Sequence, residues 1–291
     1  MSEITAAMVK ELRLKTDAPL LECKKALVEA GGDMKKAEDI LRVRLGDRAT
    51  KASSRVASEG IVLCRISDDR LSGVLLEVNC ETDFVCRNES FIDFSYSVAS
   101  LIFQERPSDI ENLMSLSTEG KQTIEDMRVA LAGRIGENIT IRRFTLWQSE
   151  CNLTCYVHGS RIGVMVEYSG DDNAARDVAM HIAASRPLCV SRDDVPKDIL
   201  EREMEIYRQQ AAQSGKSDEI ISKMVNGRVS KFLSEVSLLD QPFVKDTSKS
   251  VGEMLVSNGT VVHRFQFFVV GEGIEKERVD FAKEVAAVKS M

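Results

Sequence analysis

The sequence predicts an α+β protein built from separate helical and mixed modules. Three short helices are expected over residues 4–44, strand-type alternation follows, and a strongly helical stretch lies between Pro196 and Glu235. Helices that are segregated from short antiparallel strands are typical of α+β folds. With 291 residues the chain reaches the size at which a single core stops growing, roughly 250–300 residues, so we expect two or three modules.

The first module, residues 1–45, is predicted to be a three-helix head that binds a partner. Thr5 is a candidate N-cap of the first helix, Pro19 suits the first turn of the second, and Asp33 can cap the third. The second helix is predicted to carry an apolar face formed by Leu20, Leu21, Ala26 and Leu27. Residues 46–56 are basic, rich in Ser and Ala and poor in bulky apolar side chains, which predicts a linker.

Two related lobes are predicted to form the core. Downstream of the linker, apolar alternation predicts a strand hairpin followed by helices, which gives a first lobe over residues 57–145. The pattern recurs where Gly163–Glu167 echoes Gly73–Glu77, each followed by a helix. This echo predicts a second lobe over residues 146–192 and 236–270.

Two further helical segments complete the predicted order. Residues 193–235 carry one apolar stripe per helix with a break at Ser214-Gly215, which predicts an antiparallel hairpin inserted into the second lobe. Residues 271–291 are predicted to hold an amphipathic C-terminal helix. The apolar stretches fall short of the ~20 residues that a membrane helix needs, so we expect no membrane partner.

Composition limits the classes of function. The net charge of -7 and the pI near 5.3 predict a surface that repels a phosphate backbone, so no direct nucleic-acid binding is expected. The basic stretch Arg42–Arg55 is the one candidate against this expectation. Seven cysteines without a dense framework, and an N-terminus without the apolar core of a signal peptide, predict a cytoplasmic protein.

No catalytic, metal or cofactor site is predicted. Gly215-Lys216-Ser217 has the end of a phosphate-binding loop, but Gln210 stands where the leading glycine belongs. Cys151, Cys155 and His158 could supply three metal ligands, yet the alternation around Cys155 is that of a strand face. With only three histidines and no local nucleophile motif, we expect a protein that is not an enzyme.

Two segments resemble the signature motifs of the elongation factor Ts family: Leu12–Leu27 (LRLKTDAPLLECKKAL) and Glu77–Val85 (EVNCETDFV). Further matches begin at His158, His181, Ser237 and Gly271, so the resemblance covers nearly the whole chain. It implies a UBA-like head, a two-lobed core, an inserted hairpin and a C-terminal helix, in that order. Pro19, Leu20, Leu21 and Cys86 depart from the residues usual in the family.

The resemblance also implies a function. A member of this family is a guanine-nucleotide exchange factor that binds the GTPase elongation factor Tu, disturbs its Mg²⁺ and phosphate site, and promotes GDP release so that GTP can bind. The implied contacts with the partner are an exposed loop, Thr82, Asp83, Phe84 and Val85, together with Arg13, Leu20, Leu21 and His158. Without the resemblance, Phe84 and Val85 would be interpreted as core residues that follow a strand.

Two alternatives stay open at this point. The first is a non-enzymatic adaptor whose head binds a helix or a ubiquitin-like partner while the basic stretch contacts RNA. The second concerns assembly, because the hairpin resembles the family's coiled-coil insertion and a homodimer through it competes with a monomer.

Overall fold

The computed structural model describes residues 4–118, 120, 122–213 and 217–275, and it confirms the α+β class. Contacts within the chain divide its residues into two compact units. The first draws on residues up to Ile61, on Leu76–Phe144 and on the segment from Val270, and the second on Val62–Leu75 and Thr145–Val269. None of the described helices has the length and apolar content that crossing a membrane requires.

The three-helix head is confirmed within the first unit. Its helices are α1 (Ala6–Thr16), α2 (Leu20–Glu29) and α3 (Met34–Ala52). The Thr5 hydroxyl caps α1 by accepting a hydrogen bond from the Met8 N–H, and the Asp33 carboxylate caps α3. The head encloses its own small core, formed by Val9, Leu12, Ala18, Cys23, Ala26, Leu27, Ala37, Leu41 and Leu45.

The predicted apolar face of α2 is wrong in two positions. Cys23, Ala26 and Leu27, at helical spacing, are fully buried. Leu20 and Leu21 lie off this face, with 50% and 68% of their surfaces exposed. The head therefore presents leucines to its surroundings.

The predicted linker over residues 46–56 is also corrected. Helix α3 continues to Ala52, and Ala49 and Ala52 are buried. The small side chains let α3 pack closely against α6 (Ile124–Ile135), where an added Cβ at Gly133 would lie 2.3 Å from the Leu45 carbonyl oxygen. Small residues here indicate close helix packing, not a flexible connection.

The first lobe contains more structure than predicted. Strands β1 (Glu59–Ile66), β2 (Ser72–Cys80) and β3 (Thr140–Gln148) form a sheet in the order β1-β2-β3. Helices α4 (Glu89–Glu105) and α5 (Ile110–Ser115) precede α6. Strand β3 was not predicted, because Arg142 and Arg143 interrupt its apolar alternation.

The second unit contains an antiparallel sheet with strands β4 (Asn152–His158), β5 (Ile162–Ser169) and β8 (Val261–Val269) in the order β4-β5-β8. Helix α7 (Asp172–Ser185) packs on β4 and β5. Its core includes Val164, Val166, Tyr168, Ala175, Val178, Ala179, Ile182, Leu238, Val251 and Leu255. Three short elements were not predicted: β6 (Pro242–Phe243), β7 (Asp246–Ser250) and α10 (Val251–Ser257).

The helical hairpin consists of α8 (Lys197–Ala212) and α9 (Asp218–Val236), which contact each other. The Arg228 guanidinium of α9 donates to the Gln210 side-chain oxygen at 2.6 Å and lies 5.9 Å from the centre of the Tyr207 ring. Gly215 and Lys216 of the rejected phosphate loop lie outside the described residues, as does the C-terminal helix predicted within 271–291 beyond residue 275.

His181 of α7 is the one histidine of the described chain that is fully buried. Its Nδ1 accepts from the Val244 N–H at 3.2 Å, so its Nε2 carries the proton and donates to Gln241 Oε1 at 2.8 Å. Burial lowers the pKa of the imidazole, and the Gln241 hydrogen bond only partly opposes this. The native ring is therefore neutral.

Gly133→Ala should destabilise the first unit by about 1–3 kcal/mol, because the new Cβ meets the backbone of Leu45 rather than a movable side chain. Gly227→Ala in α9 is the matched control, since nothing lies within 4 Å of its added Cβ. The control should be neutral or about 0.5–1 kcal/mol more stable, as alanine favours helix. Urea unfolding compares the two, and equal stability of both variants would contradict the packing described.

Acid should destabilise the second unit through His181. As the pH falls through about 6.5, His181 becomes protonated in the unfolded chain but stays neutral in the native protein. The free energy of unfolding therefore decreases until the pH reaches the lowered native pKa. Urea unfolding from about pH 7.5 downward measures the slope. His181→Gln should flatten the slope in this window, and an unchanged slope in that variant would contradict the neutral native ring.

Candidate functional site

The loop of the second signature motif lies between a strand and a short helical turn. Strand β2 ends at Cys80, and a 3₁₀ turn begins at Val85 and ends at Arg87. Asn88 then caps α4, its side chain accepting from the Phe91 N–H at 3.3 Å. Both ends of the loop therefore belong to regular structure.

A carboxylate fixes the base of this loop. Glu137 Oε2 accepts from the backbone N–H groups of Glu81 at 3.1 Å and Thr82 at 3.0 Å, and Oε1 accepts from the Thr82 hydroxyl at 2.7 Å. Glu137 can reach the loop because α6 ends at Gly136 in the left-handed conformation, with φ of 86°. Three donors on one carboxylate leave Thr82 little freedom.

A second carboxylate makes the attachment reciprocal. Glu81 accepts from the Asn138 N–H, and its Oε1 lies 3.2 Å from Arg55 Nε. Arg55 also donates to the Gly136 carbonyl oxygen at 2.6 Å. We call this set, Glu81, Thr82, Glu137, Asn138 and Arg55, the carboxylate latch.

The latch presents one large apolar side chain. Phe84 is 81% exposed, and Asp83 beside it is also exposed. Val85 is only 6% exposed and Thr82 is half-buried, so of the four residues from Thr82 to Val85 that were expected on an exposed surface only Asp83 and Phe84 are fully exposed. Val85 is the first residue of the 3₁₀ turn, and burial of its apolar side chain anchors the loop.

Other residues named from the sequence lie elsewhere in the fold. Arg13, Leu20 and Leu21 are exposed on α1 and α2 of the first unit. Leu14 and Val28 of the same helices are exposed too, and sequence reasoning did not name them as contacts. The sequence did indicate that Leu14 and Val28 are exposed, because neither fits the helical spacing of the buried residues.

His158 belongs to the second unit, at the end of β4. Its ring is exposed, and Nδ1 lies 3.1 Å from the Tyr156 hydroxyl. Gly159 and Ser160 follow with φ of 53° and 58°, which turns the chain into β5. His158 is therefore held at the tip of a hairpin.

Glu77 is a buried acid that the sequence placed in the motif without a role. It is fully buried and pairs with Arg142 Nη1 at 2.9 Å and Arg143 Nε at 2.6 Å. It also accepts from the Gly271 N–H at 2.8 Å. A charge removed from water needs such partners, so Glu77 ties β2 to β3 and to the turn at Gly271.

The candidate metal ligands do not assemble. Within the described ranges, no three His, Cys, Asp or Glu side chains lie together as the ligands of a metal ion would. Cys155 instead hydrogen-bonds the Cys64 thiol, which lowers the pKa of Cys155.

Comparison with known proteins decides the family. The family model of elongation factor Ts matches residues 81–272, which is more than half of the chain. The chain belongs to the elongation factor Ts family. It is 54% identical to the elongation factor Ts of Burkholderia multivorans over 288 residues, which cover 99% of this chain and 97% of that protein. It is also 54% identical to the elongation factor Ts of Cupriavidus necator over 287 residues, with the same coverage.

Membership of the elongation factor Ts family makes this chain a translation elongation factor, active in protein biosynthesis. The family match begins at Glu81, a member of the carboxylate latch, and includes Phe84. The resemblance noted from two signature motifs is thereby confirmed.

Glu137→Ala should free the loop without unfolding the protein. Loss of the carboxylate removes three hydrogen bonds to a charged acceptor, each worth about 1.5–3 kcal/mol. The amide hydrogen exchange rates of Glu81 and Thr82 should therefore rise by roughly tenfold or more. Hydrogen–deuterium exchange measures these amides. Glu125→Ala on α6 is the control, because it loses two hydrogen bonds from Arg128 and none to the loop. Unchanged exchange in Glu137→Ala would refute the latch.

Proposed function

We propose that this chain binds elongation factor Tu in its GDP form and accelerates GDP release, so that GTP can bind. The observation that best supports this proposal is Phe84, a phenyl ring 81% exposed on a loop held at its base. Aromatic side chains are enriched at the cores of protein interfaces and among their hot spots. Because the latch already orders the loop, binding loses little conformational entropy.

The proposed action of the loop is mechanical and electrostatic. Phe84 inserts as a wedge between helices of the GTP-binding domain, near the Mg²⁺ site. Asp83 beside it brings an exposed negative charge towards groups that order the metal. Since Mg²⁺ holds the phosphate charge to the GTPase, disturbing its shell raises the rate at which GDP leaves.

The free energy required exceeds what one loop provides. If GDP binds at nanomolar strength, near -12 kcal/mol, a ten-thousandfold loosening needs a coupling of about 5.5 kcal/mol. Burial of one large apolar side chain supplies about 1.5–3 kcal/mol. The proposal therefore includes contacts at Arg13, Leu20, Leu21 and His158, all of which are exposed.

Exposed leucines in the head support this wider surface. Leu20 and Leu21 expose 50% and 68% of their area although the head has its own closed apolar core. Burial against a partner would recover the hydrophobic free energy that folding leaves unused. Arg13 on α1 adds a long cationic side chain, and arginine is enriched at interfaces.

In this proposal the chain acts through binding energy alone, without covalent chemistry or a cofactor, and so is not an enzyme. Self-association through the α8–α9 hairpin stays a prediction. Only Ala211 and Val225 of these two helices are buried among the described residues, which leaves most of the hairpin surface exposed.

Phe84→Ala should lower the acceleration of GDP release by roughly thirtyfold, since loss of a central aromatic contact costs about 2 kcal/mol or more. The measurement is the release of a fluorescent GDP analogue from purified elongation factor Tu, with and without the chain. Asp83→Ala should lower the rate separately, because it removes the charge and keeps the ring.

Val256→Ala is the matched control, since Val256 is also 81% exposed but lies on α10 of the second unit. It should exchange GDP at the full rate. A Phe84→Ala variant with the full rate would refute the wedge. No acceleration by the unsubstituted chain would reject the exchange function and favour an adaptor, for which salt-sensitive retention of RNA is the readout.

A further inference from the structure

Two thiols lie beneath the Phe84 loop. Cys80 ends β2 and Cys86 lies in the 3₁₀ turn, so the pair encloses the five loop residues 81–85. Their Sγ atoms are 3.5 Å apart. Cys80 is fully buried and Cys86 is half-buried, so Cys86 is the more exposed residue of the pair.

Both thiols bond the backbone that shapes the loop. Cys80 Sγ donates to the Thr82 carbonyl oxygen at 3.2 Å, and Cys86 Sγ donates to the Gly60 carbonyl oxygen at 3.2 Å. Cys86 Sγ also lies 3.7 Å from the Thr82 oxygen. Because the sulfurs converge on one carbonyl, a disulfide bond of about 2 Å needs them to close by only about 1.5 Å.

We propose that Cys80 and Cys86 form a reversible disulfide that closes the base of the Phe84 loop and lowers exchange activity. The disulfide itself depends only on the two sulfurs. Its effect on exchange rests on the function proposed above.

The oxidant we name is a peroxide. It transfers an oxygen to the sulfur of the more exposed Cys86, which becomes a sulfenic acid, and the thiol proton leaves with the other peroxide oxygen as water or an alcohol. The Cys80 sulfur then attacks Cys86 Sγ, the S–O bond breaks, and the departing hydroxide takes the Cys80 proton to leave as water. Two thiols are oxidised and one peroxide is reduced, and a dithiol reverses the step.

The environment assigns the order of these events. Hydrogen bonding with Cys86 and burial raise the pKa of the Cys80 thiol well above its ordinary range. Cys80 therefore stays protonated and reacts slowly with peroxide, so the half-buried Cys86 meets the oxidant first. Cys80 Sγ lies 3.5 Å from Cys86 Sγ, which places it to resolve the sulfenic acid.

The disulfide would change the loop in two ways. It removes both S–H donors, so the Thr82 and Gly60 carbonyl oxygens lose their bonds to sulfur. It also draws the 3₁₀ turn towards β2, and Phe84 immediately precedes that turn. Because a displacement of about 1 Å at a positioned group costs up to 10²-fold in rate, we expect roughly a tenfold loss of exchange.

The test uses the full chain and hydrogen peroxide. Intact mass should show the loss of two hydrogens, and digestion without reduction should yield a peptide linked between Cys80 and Cys86. GDP release from elongation factor Tu is measured with the same sample before oxidation, after it, and after reduction with dithiothreitol. We expect full activity, about tenfold less, and full activity again.

Cys86→Ala and Cys80→Ala each remove one sulfur, so peroxide should not lower the exchange activity that each variant shows before treatment. Cys155→Ala is the control, because it disrupts the other thiol pair, with Cys64, and should still be inhibited. An intact mass without the linkage overturns the inference even if exchange by the reduced chain is normal. Equal inhibition of Cys86→Ala, or a linked chain with full activity, also overturns it. If mass shows the linkage but the reduced chain does not accelerate GDP release, the disulfide is established. The proposed exchange function, and the effect of the disulfide on it, are then refuted.

Discussion

The carboxylate of Glu137 is the constraint on which the site depends. It gathers two backbone N–H groups and one hydroxyl from Glu81 and Thr82, and thereby holds a short loop that has no core of its own. An unattached loop with an exposed ring would fold that ring onto the nearest apolar surface. Hydrogen bonds to a charged acceptor prevent this, so Phe84 stays exposed and available to a partner.

The second signature motif combines two kinds of residue over a few positions. Glu77 is buried, where it joins β2 to Arg142 of β3, and Val85 anchors the far end of the loop. Asp83 and Phe84 between them are exposed. The anchors hold the loop in position and leave the pair exposed, which is what the proposed contact with elongation factor Tu requires.

Much of the fold was accessible from sequence patterns, and the exceptions have physical reasons. The head helices follow from the caps at Thr5 and Asp33 and from apolar spacing. Strand β3 was missed because Arg142 and Arg143 pair with the buried Glu77 of β2, which is far from them in sequence. No local sequence pattern reveals that pairing. Likewise Glu137 is far from Thr82 in sequence, so the latch is visible only after folding. The exposure of Phe84 was expected from the family motif alone, since periodicity favoured a core residue.

The central claim is that binding of this chain and binding of GDP oppose each other on one GTPase. Such coupling is reciprocal, so GDP must weaken the chain's grip by the same factor by which the chain weakens that of GDP. Isothermal titration of the chain into nucleotide-free and into GDP-saturated elongation factor Tu measures this directly. The account predicts much tighter binding to the nucleotide-free form, and equal affinity for the two forms would contradict it.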